Sequence, residues 1–117
     1  ALADDTGAVR LLGATPGGEN QMPWNAQALA QIAGGCVEPG RLVTAPRWEW
    51  LPHDDGVRIE DGVDQPALEG LAAAAPRVVR THQWGLKSAQ QVVRGSRPGE
   101  TIVGAADPRT VGAAVGV

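Results

Sequence analysis

The chain has 117 residues, a formal charge of −3 and one cysteine, and it lacks any apolar run long enough to span a bilayer. These figures exclude an internal disulfide framework, a transmembrane helix and the strongly basic balance of a dedicated nucleic-acid binder. The length fits one domain, residues 1–117.

With 16 Gly and 9 Pro, many turns and short elements are expected. Phe and Tyr are absent, so the 4 tryptophans are the largest apolar surfaces. Ala and Gly dominate the remaining apolar residues, which predicts a core poor in bulk and support from neighbouring subunits. Charge segregates along the chain: residues 1–75 carry 4 basic and 11 acidic groups, and residues 76–117 carry 6 basic and 2 acidic. Such a split suits like molecules meeting acidic face to basic face. The first ten residues lack the basic start and apolar run of a signal peptide, so a cytoplasmic or intracellularly assembled protein is expected, with no membrane partner.

Ala8 to Leu12 reads as a short strand closed by the loop Gly13–Gly18. Pro23 to Ala33 reads as a helix, with Pro23 suited to the first position and Gly34-Gly35 as the stop. Trp24, Ala28, Leu29 and Ile32 share one stripe of it, with Gln27 and Gln31 away from that stripe. Arg41 to Gly62 reads as the organising hairpin, with antiparallel strands at Leu42–Trp50 and Val57–Glu60 and a turn at Pro52–Gly56. Trp48 and Trp50 fall on one face of it, Arg47 and Glu49 on the other, and the Asp-Gly turn predicts a positive φ at Gly56.

Asp64 can cap a second helix whose apolar stripe is Leu68, Leu71, Ala72 and Ala75, ended by Pro76. A strand then runs from Val78 towards Trp84; if extended, it sets Val78, Arg80, His82 and Trp84 on one face. Residues 86–94 carry both helix and strand signals. Thr101–Ala105 reads as a strand between turns at Gly95–Gly99 and Asp107-Pro108. Val111 to Val117 is uncharged and apolar, and its backbone can close this chain's own sheet or add to a neighbour's edge. The expected fold class is α+β, with mostly antiparallel short strands and two short helices organised around the hairpin at residues 41–60.

The motif patterns of common catalytic sites are not met. Gly13 and Gly18 have the spacing of a phosphate loop, but Glu19 and Asn20 stand where Lys and Ser or Thr are needed. The dinucleotide fingerprint, the nucleophile elbow and the zinc-helix motif are absent. His53, Asp54 and Asp55 are neighbours on a turn, where successive side chains diverge. Cys36, His53 and His82 are too scattered to suggest a metal, and no cofactor, metal or catalytic set is predicted. Arg77, Arg80, Lys87, Arg94 and Arg97 form a weak polyanion candidate, opposed by the acidic balance of the chain.

These features predict a non-catalytic structural or assembly subunit, packed as repeated copies in a larger complex or shell such as a virus capsid or its decoration. Its partners would be other protein subunits, as a homo-oligomer or larger assembly. The candidate interface or ligand-binding residues are Trp48, Trp50, Arg80, His82, Trp84, Val111, Val115 and Val117. The alternative is a small enzyme or ligand-binding domain whose pocket is lined by Trp48, Trp50, Trp84 and His82.

Overall fold

In chain order the elements are β1 (Leu2–Ala3), β2 (Val9–Ala14), α1 (Gln21–Ala33), α2 (Pro39–Thr44), β3 (Trp48–Trp50), β4 (Gly56–Glu60), α3 (Gln65–Ala74), β5 (Arg77–Thr81), β6 (Gln91–Arg94) and β7 (Val103–Ala106). They belong to a computed structural model that describes every residue except Gly17, Pro52, Asp54, Asp55, Ser96, Pro98, Gly116 and Val117. Helices and short strands contribute equally, and the fold is α+β.

The strands form two sheets. One has the order β1-β2-β6-β7 and is antiparallel throughout; the other has the order β3-β4-β5. Within the second, β3 pairs with β4 in antiparallel register, Trp48 opposite Ile59 and Trp50 opposite Val57. β4 and β5 are parallel, joined by α3 as a crossover, which a reading of antiparallel pairing does not anticipate. The cap of α3 is as expected: Asp64 Oδ1 accepts from the Ala67 amide at 2.8 Å.

Each sheet has its own small core. Leu11, Leu42, Val43 and Val92 cluster where α2 and the inner side of α1 meet the four-stranded sheet, joined by Ile32 and Cys36. Val57, Ile59 and Ala75 cluster under α3, joined by Trp48, Leu68 and Leu71.

The hairpin is shorter than its sequence suggests. Residues 42–44 are not strand: Pro39 opens the helix α2, which puts Leu42 and Val43 into the core, and Ala45-Pro46 ends it. The left-handed residue of the hairpin loop is His53, at φ 60, whereas Gly56 already lies in β4 opposite Arg77. Glycine is needed there for room, because a Cβ would stand 2.8 Å from the Arg77 carbonyl oxygen.

β3 is an edge strand, and side chains from α1 cover its free edge. Gln27 donates to the Trp48 carbonyl at 2.9 Å and accepts from the Trp48 amide at 3.0 Å. Asn20, just before α1, does the same to Trp50, at 3.1 and 2.9 Å. Each carboxamide thus stands in for one residue of a missing strand. Gln27 therefore points inward, contrary to the helical stripe read from sequence, while Leu29 points outward.

Beyond β7 the segment Val111–Val115 forms no strand. It crosses the face of β7, with Ala114 over Gly104 and Gly112 over Ala106. The closing strand that Val111–Val117 could add to this chain's own sheet is absent from its described part, and Val117 lies outside the described residues.

Candidate functional site

Between the two cores lies a buried ring of charge. Arg47 precedes β3, Glu60 ends β4, and Asp107 and Arg109 follow β7, so both sheets contribute. Arg47 Nη1 donates to Asp107 Oδ2 and to Ser88 Oγ, and Nη2 donates to Gln90 Oε1 at 2.9 Å and the Val43 carbonyl at 3.1 Å. Arg109 Nε donates to Glu60 Oε1 at 2.7 Å, and Arg109 Nη2 also bonds Glu60 Oε2. Its Nη1 reaches Asp107 Oδ1 at 3.0 Å, which links the two carboxylates.

Backbone groups complete the ring. Glu60 accepts from the Arg47 and Leu86 amides, and Asp107 from those of Gln90 and Arg109. Both arginines donate to the Val43 carbonyl and Arg109 also to that of Ala45, which caps the end of α2. The side chains of Asp107, Glu60 and Arg109 have no exposed surface, and that of Arg47 is 2% exposed.

Burial, and the charge of Arg109 beside it, pull Arg47 below the ordinary arginine value in spite of Asp107. Burial works against the charge on Arg109 too, but its hydrogen bonds with Glu60 and Asp107 outweigh it and hold that group above the ordinary value. Both guanidiniums stay ionised, since arginine does not deprotonate in proteins. With each charge paired and each carboxylate oxygen accepting two bonds, the ring joins the sheets.

A third buried acid, Glu49, lies on β3 and pairs with Arg58 at 3.1 Å. Burial pushes its carboxyl above the ordinary value, and Arg58 offsets only part of this. On the surface, Asp4 accepts from Thr6, Arg97 and the Ala8 amide, which holds its carboxyl well below the usual range.

The residues singled out from sequence do not converge. Trp48 and Trp50 share a face as expected, their rings edge to face with centroids 5.6 Å apart. Trp48 floors a groove of about 440 Å³ whose walls include Gln31, Pro46 and Val63, with neither His82 nor Trp84 among them. β5 stops at Thr81, so Arg80, His82 and Trp84 do not continue one strand face. His82 Nδ1 lies 2.9 Å from the Gln83 carbonyl, and Trp84 sits at φ 61 with its indole N–H donating to the Thr44 carbonyl at 3.2 Å. Val111 and Val115 are exposed. The Asp54-Asp55 pair lies outside the described residues.

Among the described residues no group of three or more His, Cys, Asp or Glu could hold a metal ion, and no helix is long and apolar enough to cross a membrane. The charge ring went unread in the sequence, where Asp107-Pro108 passed as a turn. The Pro-Arg pairs Pro46-Arg47 and Pro108-Arg109 do not single it out, because Pro76-Arg77 has the same pair with its arginine exposed on β5.

Several solved transpeptidases share this fold. A gamma-glutamyltranspeptidase mutant from Helicobacter pylori superposes with a TM-score of 0.70 at 20% identity, over 93% of this chain and 58% of its own. A highly active mutant of the Pseudomonas nitroreducens gamma-glutamyltranspeptidase does so with 0.70 at 20% identity, over 99% and 59%. The Bacillus anthracis transpeptidase enzyme CapD gives 0.70 at 15% identity, over 92% and 63%. The chain thus spans about three-fifths of the length of these structures' chains. No curated protein sequence matches it.

The profile of the gamma-glutamyltranspeptidase family matches residues 1–117, and the chain belongs to that family. This overturns the expectation of a non-catalytic assembly subunit of capsid or decoration type, because the family is one of enzymes. The low-bulk composition and the apolar segment from Val111 that motivated that expectation equally suit a chain spanning part of a larger fold.

Proposed function

We propose that this chain forms part of an enzyme that transfers γ-glutamyl groups. The observation that carries the reading is the family match over residues 1–117. In such a transfer the amide C–N bond at the γ-carbonyl breaks and that carbon bonds to an acceptor nitrogen or to water oxygen. The acceptor's proton leaves with the departing amine.

The role assigned to the charge ring is positioning. Acyl transfer needs its groups held to within about 0.5 Å, and supporting shells of saturated hydrogen bonds supply such rigidity. The ring fixes one sheet against the other through Arg47, Glu60, Asp107 and Arg109. Ser88 is not a nucleophile in this reading, because it is fully buried and bonded to Arg47.

The test is release of the chromophore from a γ-glutamyl anilide by the whole protein that carries this chain, with and without a dipeptide acceptor. Turnover that rises with acceptor is expected. No release under either condition overturns the reading.

A further inference from the structure

A cavity of about 230 Å³ lies between α1 and the four-stranded sheet, beside the core of that sheet. Leu11 and Val92 line it from the sheet, Leu42 from α2, and Ala28 and Ile32 from α1, so most of its wall is apolar. Water finds no partner along such a wall, whereas an apolar cavity of about 150 Å³ suffices to hold benzene.

Two carboxamides interrupt the apolar wall. Gln90, just before β6, is 2% exposed, and its Oε1 accepts from Arg47 Nη2. That bond fixes which way the amide faces and turns Nε2 away from the arginine. Nε2 has no hydrogen-bond partner among the described residues, and of these Trp24 Nε1 is the one fully covered side-chain polar atom left so. Gln90 Nε2 therefore keeps a little surface, and it keeps it on the cavity that Gln90 lines. Asn25, half-buried on α1, lines the same cavity, and its side-chain amide also has no partner among the described residues. An unmet donor at the edge of an apolar space favours a ligand that supplies an acceptor there.

We infer that this cavity is a binding site for a small neutral amide whose apolar body is the size of a phenyl ring. The body rests on Leu11, Ile32, Leu42 and Val92, the ligand's carbonyl accepts from Gln90 Nε2, and its N–H donates to Asn25 Oδ1. A carboxylate is disfavoured, because no lining side chain is cationic and burying an unpaired charge is costly. The neighbouring guanidinium, Arg47, is already paired with Asp107. An occupant bonded to Gln90 stands one hydrogen bond from Arg47, so the site adjoins the ring that joins the two sheets.

Benzamide, benzene and benzoate, each titrated into the whole protein that carries this chain and followed by ligand-observed NMR, test the assignment. Benzamide is expected to bind with a Kd of about 1 mM. Benzene and benzoate should each bind about 10-fold more weakly, one for want of hydrogen bonds and the other for its charge. Ala28→Phe sets a ring in the cavity and should weaken benzamide by about 10-fold or more. Asn25→Leu should bring benzamide close to benzene and leave benzene itself unchanged. No binding of benzamide up to its solubility limit overturns the inference, and would mean that the cavity is closed in the whole protein. Binding that both variants leave unchanged overturns it too, since the site then lies elsewhere. Should Ala28→Phe fail to fold, Asn25→Leu decides alone: a preference for benzamide that survives it overturns the inference. Binding is read without turnover, so its outcome stands apart from that of the γ-glutamyl transfer assay.

Discussion

Asp107 and Arg47, sixty residues apart in the chain, meet in a charge-assisted hydrogen bond that neither shares with water. That single contact ties the segment leaving β7 to the segment entering β3, and through them one sheet to the other. Removing one partner leaves the other charge buried and unpaired, which costs about 3–5 kcal/mol. Asp107→Asn should lower stability by that order in urea unfolding of the whole protein. Pairing Arg47→Met with Asp107→Leu should cost less than the two single changes summed, because no charge is then stranded. Additive effects would show that the two residues are not coupled.

The raised carboxyl of Glu49 gives a pH dependence of definite sign. Its ordinary value is 4.5 and the folded value is higher, so the folded chain holds a proton that the unfolded chain has lost. The contribution of this group to stability is full below pH 4.5 and falls away as pH rises through the raised value. Glu49→Gln cannot ionise, so its stability relative to the parent should grow as pH rises from 4.5 towards neutrality. Denaturation midpoints at several pH values measure this; a gap that stays constant with pH refutes it.

The amide clamps predict a local effect. Gln27→Leu keeps the bulk and leaves the Trp48 amide and carbonyl without partners, a loss of about 1–3 kcal/mol. Gln27→Glu should be at least as harmful, since a carboxylate would face the Trp48 carbonyl. Hydrogen exchange should accelerate at the Trp48 amide and leave the α3 amides unchanged. Uniform acceleration along the chain would mean that Gln27 acts only on global stability.

Trp24 offers the converse case. Its indole nitrogen is buried and, among the described residues, is the one buried side-chain polar atom without a hydrogen-bond partner. Trp24→Phe removes that unmet donor while leaving a small void, and the two effects oppose each other. The change should stay within about 1 kcal/mol, against about 3–5 kcal/mol for Trp24→Ala. A large loss for the Phe variant, measured by thermal melting, would show that the indole N–H finds a partner in solution.

Local patterns were legible in the sequence and long-range ones were not. The Asp64 cap, the helix ending near Ala33 and the Trp48–Trp50 face follow from turn chemistry and periodicity, which neighbouring residues decide. Residues 42–44 misled because their extended-looking run is overridden by Pro39 and by burial against β6. Gln27 looked like a solvent residue because its partner, the Trp48 backbone, is invisible to side-chain periodicity. The charge ring joins positions 47, 60, 107 and 109, and no local pattern marks an arginine whose counter-ion arrives from the far end of the chain.

Chemical ageing has a specific target in this molecule. Asn20 and Gln27 each donate and accept at once, and hydrolysis of either amide turns the donating half into a carboxylate oxygen facing a carbonyl. Deamidation at Asn20 would therefore unlatch Trp50 and bare a strand edge to which another chain could bind. Site-resolved mass spectrometry of stored protein, read against the rate of aggregate growth, would link the two; aggregation that precedes any modification of Asn20 would separate them.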